Sequence, residues 1–163
     1  MTKRVLFSII TIALLGTTRT LSGQIAPKSS VQVTRVELAH LISVEITVSS
    51  HEKDLLVPYC GGDDKSEYLC VLPAYLEVQT SQGWRQMKLR HGGVLGGVPL
   101  DRRKVKLIPA GKSHNFSFSF RTEDFEVEHG QRLRAVVTAW PDEQSMRTDE
   151  QSVQLKSSPF ECP

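Results

Sequence analysis

The chain has 163 residues, 39% hydrophobic and 23% charged, with 11 glycines, 8 prolines and 3 cysteines. That composition argues against disordered, collagenous and coiled-coil classes, and the length suits one domain able to bury its own core. The formal charge is +2, but removing residues 1–23 takes Lys3, Arg4 and Arg19 from the 20 basic residues and none of the 18 acids, leaving −1. A near-neutral domain gives no support to a nucleic-acid partner.

The N-terminus reads as an address. Lys3 and Arg4 precede residues 5–16, an apolar run broken only by Ser8 and Thr11; Thr17, Thr18 and Arg19 follow, then Leu21-Ser22-Gly23 before Gln24. This is the three-part pattern of a secretory signal peptide. A spanning helix needs about 20 apolar residues, so Arg19 arrives too early for an anchor, and an uncleaved anchor is the lesser alternative. Leu21-Ser22-Gly23 also matches the start of a lipoprotein signal, but Gln24 stands where the lipid-bearing cysteine is required. The expected organisation is a signal peptide over 1–23, a polar leader over 24–30 and a single β domain over 31–163, in a secreted or periplasmic protein without a stable membrane anchor.

An extracytoplasmic address permits disulfides. Cys60, Cys70 and Cys162 are an odd set, so at most one intrachain bridge forms. The spacing favours Cys60–Cys70 around a short glycine-bearing loop, leaving Cys162 as the odd thiol near a frayed C-terminus. Pairing of Cys162 with either of the others is the alternative.

Beyond the leader, short β segments alternate with turns. Residues 31–38 lead into Ile42, Val44, Ile46 and Val48, which alternate with Ser43, Glu45, Thr47 and Ser49. Residues 55–59 are extended and end at Gly61-Gly62-Asp63-Asp64. Residues 74–79 and 84–89 flank Thr80-Ser81-Gln82-Gly83, a hairpin signal. Residues 104–108 stop at Pro109-Ala110-Gly111. Phe116, Phe118 and Phe120 alternate with serines, 133–139 forms another strand stopped by Pro141, and 151–156 closes the set. No stretch shows helical periodicity with start and stop signals. The expected fold is all-β, an immunoglobulin-like β-sandwich of about seven to nine antiparallel strands and no helix.

Several of these segments also carry a resemblance. Ser43-Val44-Glu45-Ile46-Thr47-Val48-Ser49, then Gly83-Trp84, then Leu107-Ile108-Pro109-Ala110-Gly111-Lys112 before Phe116-Ser117-Phe118, and Gly130 ahead of 133–139, follow one another in a familiar order. In that order the chain resembles bacterial secreted immunoglobulin-like sandwich domains of uncharacterised function. It is more weakly similar to the bacterial intracellular proteinase-inhibitor family, from which it departs by its signal peptide and three cysteines. The resemblance implies a sandwich fold, and no inhibitory residue is carried over.

Chemical motifs are incomplete. Ala110-Gly111-Lys112-Ser113 ends like a phosphate-binding loop, but Lys106 holds the place of the first glycine and a strand follows instead of a helix. His51-Glu52-Lys53-Asp54-Leu55 begins like a zinc-protease motif, with Leu55 in place of the second histidine. His40, His51, His91, His114 and His129 lack ligand spacing, and Asp63-Asp64 lacks the alternating oxygens of a calcium loop. Ser113 and His114 are neighbours and would point to opposite faces of a strand. Catalytic residues, metals and cofactors are therefore not expected. Asn115-Phe116-Ser117 is a glycosylation sequon that matters only in a eukaryotic secretory pathway.

The expected function is that of a non-enzymatic module that binds a macromolecule, most simply a protein, through its loops. The loops named are 49–53, with His51 and Glu52, and 141–149, with Asp142, Glu143 and Arg147 above Trp140 at its base; an immunoglobulin-like order puts both at one end. Arg90, Arg102, Arg103 and Lys104 form a second candidate, a basic patch, against which stands the plain reading of a charged, aggregation-resistant edge. A protease-inhibitor-like protein and an enzyme assembled only in three dimensions are the alternatives.

Overall fold

Alternation in the sequence decides the central pairing of the larger sheet. In the computed structural model, which describes residues 29–62, 67–69, 74–87, 104–121 and 128–163, strand β2 (Leu41–Ser50) pairs antiparallel with β8 (Ser113–Arg121). The register sets Ile42 opposite Phe120, Val44 opposite Phe118 and Ile46 opposite Phe116, and all six are buried. Because side chains alternate across a strand, the same register sends Ser43, Thr47, Ser49, Ser113, Asn115 and Ser119 to the other face. There they bond across the strands: Thr47 Oγ1 donates to Asn115 Oδ1 at 2.8 Å, and the Ser49 and Ser113 hydroxyls lie 2.8 Å apart.

The remaining strands add to this centre. β1 (Ser29–Leu38) pairs with β2 and carries a register shift between Val33 and Arg35. On the other side come β4 (Glu67–Leu69), β3 (Leu55–Gly62) and β7 (Lys104–Ile108), giving the order β1-β2-β8-β4-β3-β7. The smaller sheet has β5 (Ala74–Thr80), β6 (Gly83–Gln86), β9 (Arg132–Ala139) and β10 (Val153–Lys156) in the order β10-β9-β5-β6, with β11 (Phe160–Glu161) also on β9. One hydrophobic core draws on both sheets: Val57, Ile108 and Phe118 from the larger meet Leu76, Leu133 and Val137 from the smaller in a single buried cluster. The protein is all-β in two sheets.

Three sequence expectations change. Among the described residues there are eleven strands rather than seven to nine, the additions being β4 and β11, of three and two residues. Strands that short have no period to read. β4 also breaks the antiparallel expectation, since it runs parallel to β8 through Glu67↔Phe116 and Tyr68↔Ser117. Finally, the expected absence of helix is corrected by α1 (Glu143–Thr148). Asp142 caps its N-terminus, accepting from Ser145 N at 2.7 Å, and the left-handed Asp149 (φ 55°) closes it. Six residues are too few to display a 3.6-residue apolar stripe, so local capping forms this turn of helix.

The expected signal peptide lies outside the described residues. Among those described, no helix is long and apolar enough to cross a membrane.

Candidate functional site

The candidate loops 49–53 and 141–149, which the flanking strands bound at 51–54 and 141–152, meet through one pair of main-chain bonds. Leu56 N–H donates to the Trp140 carbonyl at 2.7 Å, and Trp140 N–H donates back to Leu56 at 3.0 Å. Leu56 lies just after the loop 51–54 and Trp140 just before the loop 141–152. The end of β9 is therefore tied to β3 of the other sheet, and the bases of both loops are neighbours. The β7–β8 turn joins them: Gly111 N–H donates to Ser50 O at 2.8 Å, and Ser50 N–H to Lys112 O at 3.0 Å. Gly111 holds φ 75°, which a side chain would strain. Asp54 Oδ1 accepts from Ala110 N at 2.9 Å, and the Ser50 hydroxyl donates to Lys53 O. Three connections thus gather at one end of the molecule.

At this end His51 and Glu52 are exposed, as are Asp142, Glu143 and Arg147. Asp142 faces inward to its own helix: Ser145 N and Ser145 Oγ, at 2.7 and 3.0 Å, hold its carboxyl below the usual range. Glu143 and Arg147 pair at 3.5 Å along the helix, both largely exposed, so the pair adds little stability and its charges remain in solvent. Trp140, at the base of the second loop, is a buried residue and not part of the exposed loop surface. It is 5% exposed, and the cross-sheet bridge that fixes its backbone draws it beneath the loops. Its Nε1 is buried without a hydrogen-bond partner.

Of the second candidate, the basic patch, only Lys104 falls among the described residues. Lys104 is exposed at the start of β7, whereas Arg90, Arg102 and Arg103 lie outside the described residues. Cys70 lies outside them too. Cys60 is exposed at the register shift between Tyr59 and Gly61 and is not a free thiol. Cys162 is free, and it is not frayed. Its N–H donates to Gln131 O at 2.8 Å, Gly130 N–H donates to its carbonyl at 2.9 Å, and the side chain is buried in the core. Burial pushes this thiol's pKa up.

The chemical motifs sit as local structure. Residues 109–112 form the turn into β8, and 51–54 form the loop before Leu55 enters the core. Ser113 faces the polar side of the sheet while His114 packs edge-on against Phe116 at 4.9 Å between ring centres. Among the described residues, no three His, Cys, Asp or Glu side chains converge as metal ligands.

Two side-chain clusters had no signal in the sequence. On the outer face of the smaller sheet Glu77 is buried, with Arg134 Nη2 and Nε at 2.5 and 2.6 Å and Lys156 Nζ at 3.5 Å. The Arg134 guanidinium also lies 4.4 Å over the Trp84 ring. Nearby, burial and the Glu77 charge raise the Tyr75 pKa, which Arg134 opposes. In the larger sheet Glu67 receives Lys106 Nζ at 3.0 Å and has His114 Nε2 3.0 Å from its other oxygen, an approach in which neither atom gains an aligned hydrogen bond. Both clusters join residues distant in the chain, and only the strand register brings them together.

No protein-family model and no curated relative matches the chain. Among solved structures it is similar to the X-ray structure of Northeast Structural Genomics Consortium target SoR45, at 9% identity and TM-score 0.37, over 82% of this chain and 81% of that one. A likeness at that score carries no inference.

Proposed function

We propose that this chain is a secreted or periplasmic binding module, non-enzymatic, built on an immunoglobulin-like β-sandwich. It contacts a macromolecule, most simply a protein, through the loops 51–54 and 141–152. The Leu56–Trp140 bridge carries this reading, because it makes neighbours of two exposed, charged loops on a rigid two-sheet support. The signal-peptide pattern of residues 1–23 supports the location. Against catalysis stands the incompleteness of every motif in the sequence: the phosphate-loop and zinc-protease patterns each lack an essential member.

The test is a comparative capture from envelope extract with tagged residues 24–163. The wild type and an Arg35→Ala/Glu37→Ala variant, altered far from the loops near the β1–β2 turn, are expected to retain the same protein. The variants His51→Ala/Glu52→Ala and Glu143→Ala/Arg147→Ala are expected to lose it. Retention by both loop variants overturns the proposal, as does hydrolytic activity abolished by one histidine or acidic substitution.

A further inference from the structure

We draw no further inference here: the strongest candidate, the Trp84–Arg134–Glu77–Lys156 cluster on the outer face of the smaller sheet, has its charges satisfied among its own members, and nothing among the described residues shows what covers that face.

Discussion

Arg134 and Glu77 stand directly opposite each other on β9 and β5, and the guanidinium donates to the carboxylate on the face of the sheet that is turned away from the core. Glu77 is nevertheless buried, so the pair resembles an interior ion pair more than a surface one. Removing Arg134 then leaves the desolvated Glu77 carboxylate with only the longer Lys156 contact, whereas removing both Arg134 and Glu77 leaves no buried charge.

Arg134→Ala is expected to destabilise the protein by about 2–3 kcal/mol, below the ~3–5 kcal/mol of a fully buried pair because this one keeps some access to water. Glu77→Leu/Arg134→Leu should recover part of that loss. Urea unfolding midpoints of the two variants decide the matter, and a loss under about 0.5 kcal/mol for Arg134→Ala would place the pair in the weak surface class.

Helix α1 rests on its cap, and the cap titrates. The Asp142 carboxyl, held low chiefly by the Ser145 backbone N–H, contributes stability above the ordinary aspartate pKa, and that contribution fades as pH falls through the lowered value. Asp142→Asn keeps an acceptor and should remove the acid dependence, while Asp142→Ala should lower Tm slightly at neutral pH. Thermal melts between neutral pH and pH 3 test this; identical acid profiles for wild type and Asp142→Asn would contradict it.

How much of this was legible follows from element length. The alternation in 42–48 and 116–120 revealed both central strands and their buried faces, because period two over five or more residues has no competing explanation. β4 and β11, of three and two residues, were invisible, being too short for the alternation to repeat. The helix left only local marks, Asp142 at its cap, Glu143 in its first turn and Arg147 in its last. The neighbourhood of the two loops was inferred from an assumed strand order, while the bridge that joins their bases lies between residues far apart in the chain. No local pattern could pair Leu56 with Trp140, or Glu77 with Arg134.

The cysteines make a counting experiment possible. The chain has 3 cysteines, and Cys162 is buried and free. With Cys60 paired to Cys70, the pairing that the sequence spacing favours, a thiol reagent should find almost nothing in the native protein, one thiol in urea and three after reduction. Three thiols in urea without reductant would refute the bridge. Since Cys162 lies in the core, Cys162→Ser should lower Tm more than Cys162→Ala, because serine buries a hydroxyl there.

Export should leave a defined end. Protein recovered from the extracytoplasmic fraction is expected to begin at Gln24 or its cyclised form. An intact Met1 on membrane-bound material would rule out cleavage.

The claim that the loop end is the contact surface is tested most directly by amide hydrogen exchange of residues 24–163 with and without the captured partner. Slowed exchange is expected in 51–54 and 141–152, with the hairpin turn between β1 and β2 unchanged. Protection confined to the outer face of either sheet, with both loops exchanging as in the free protein, would contradict it.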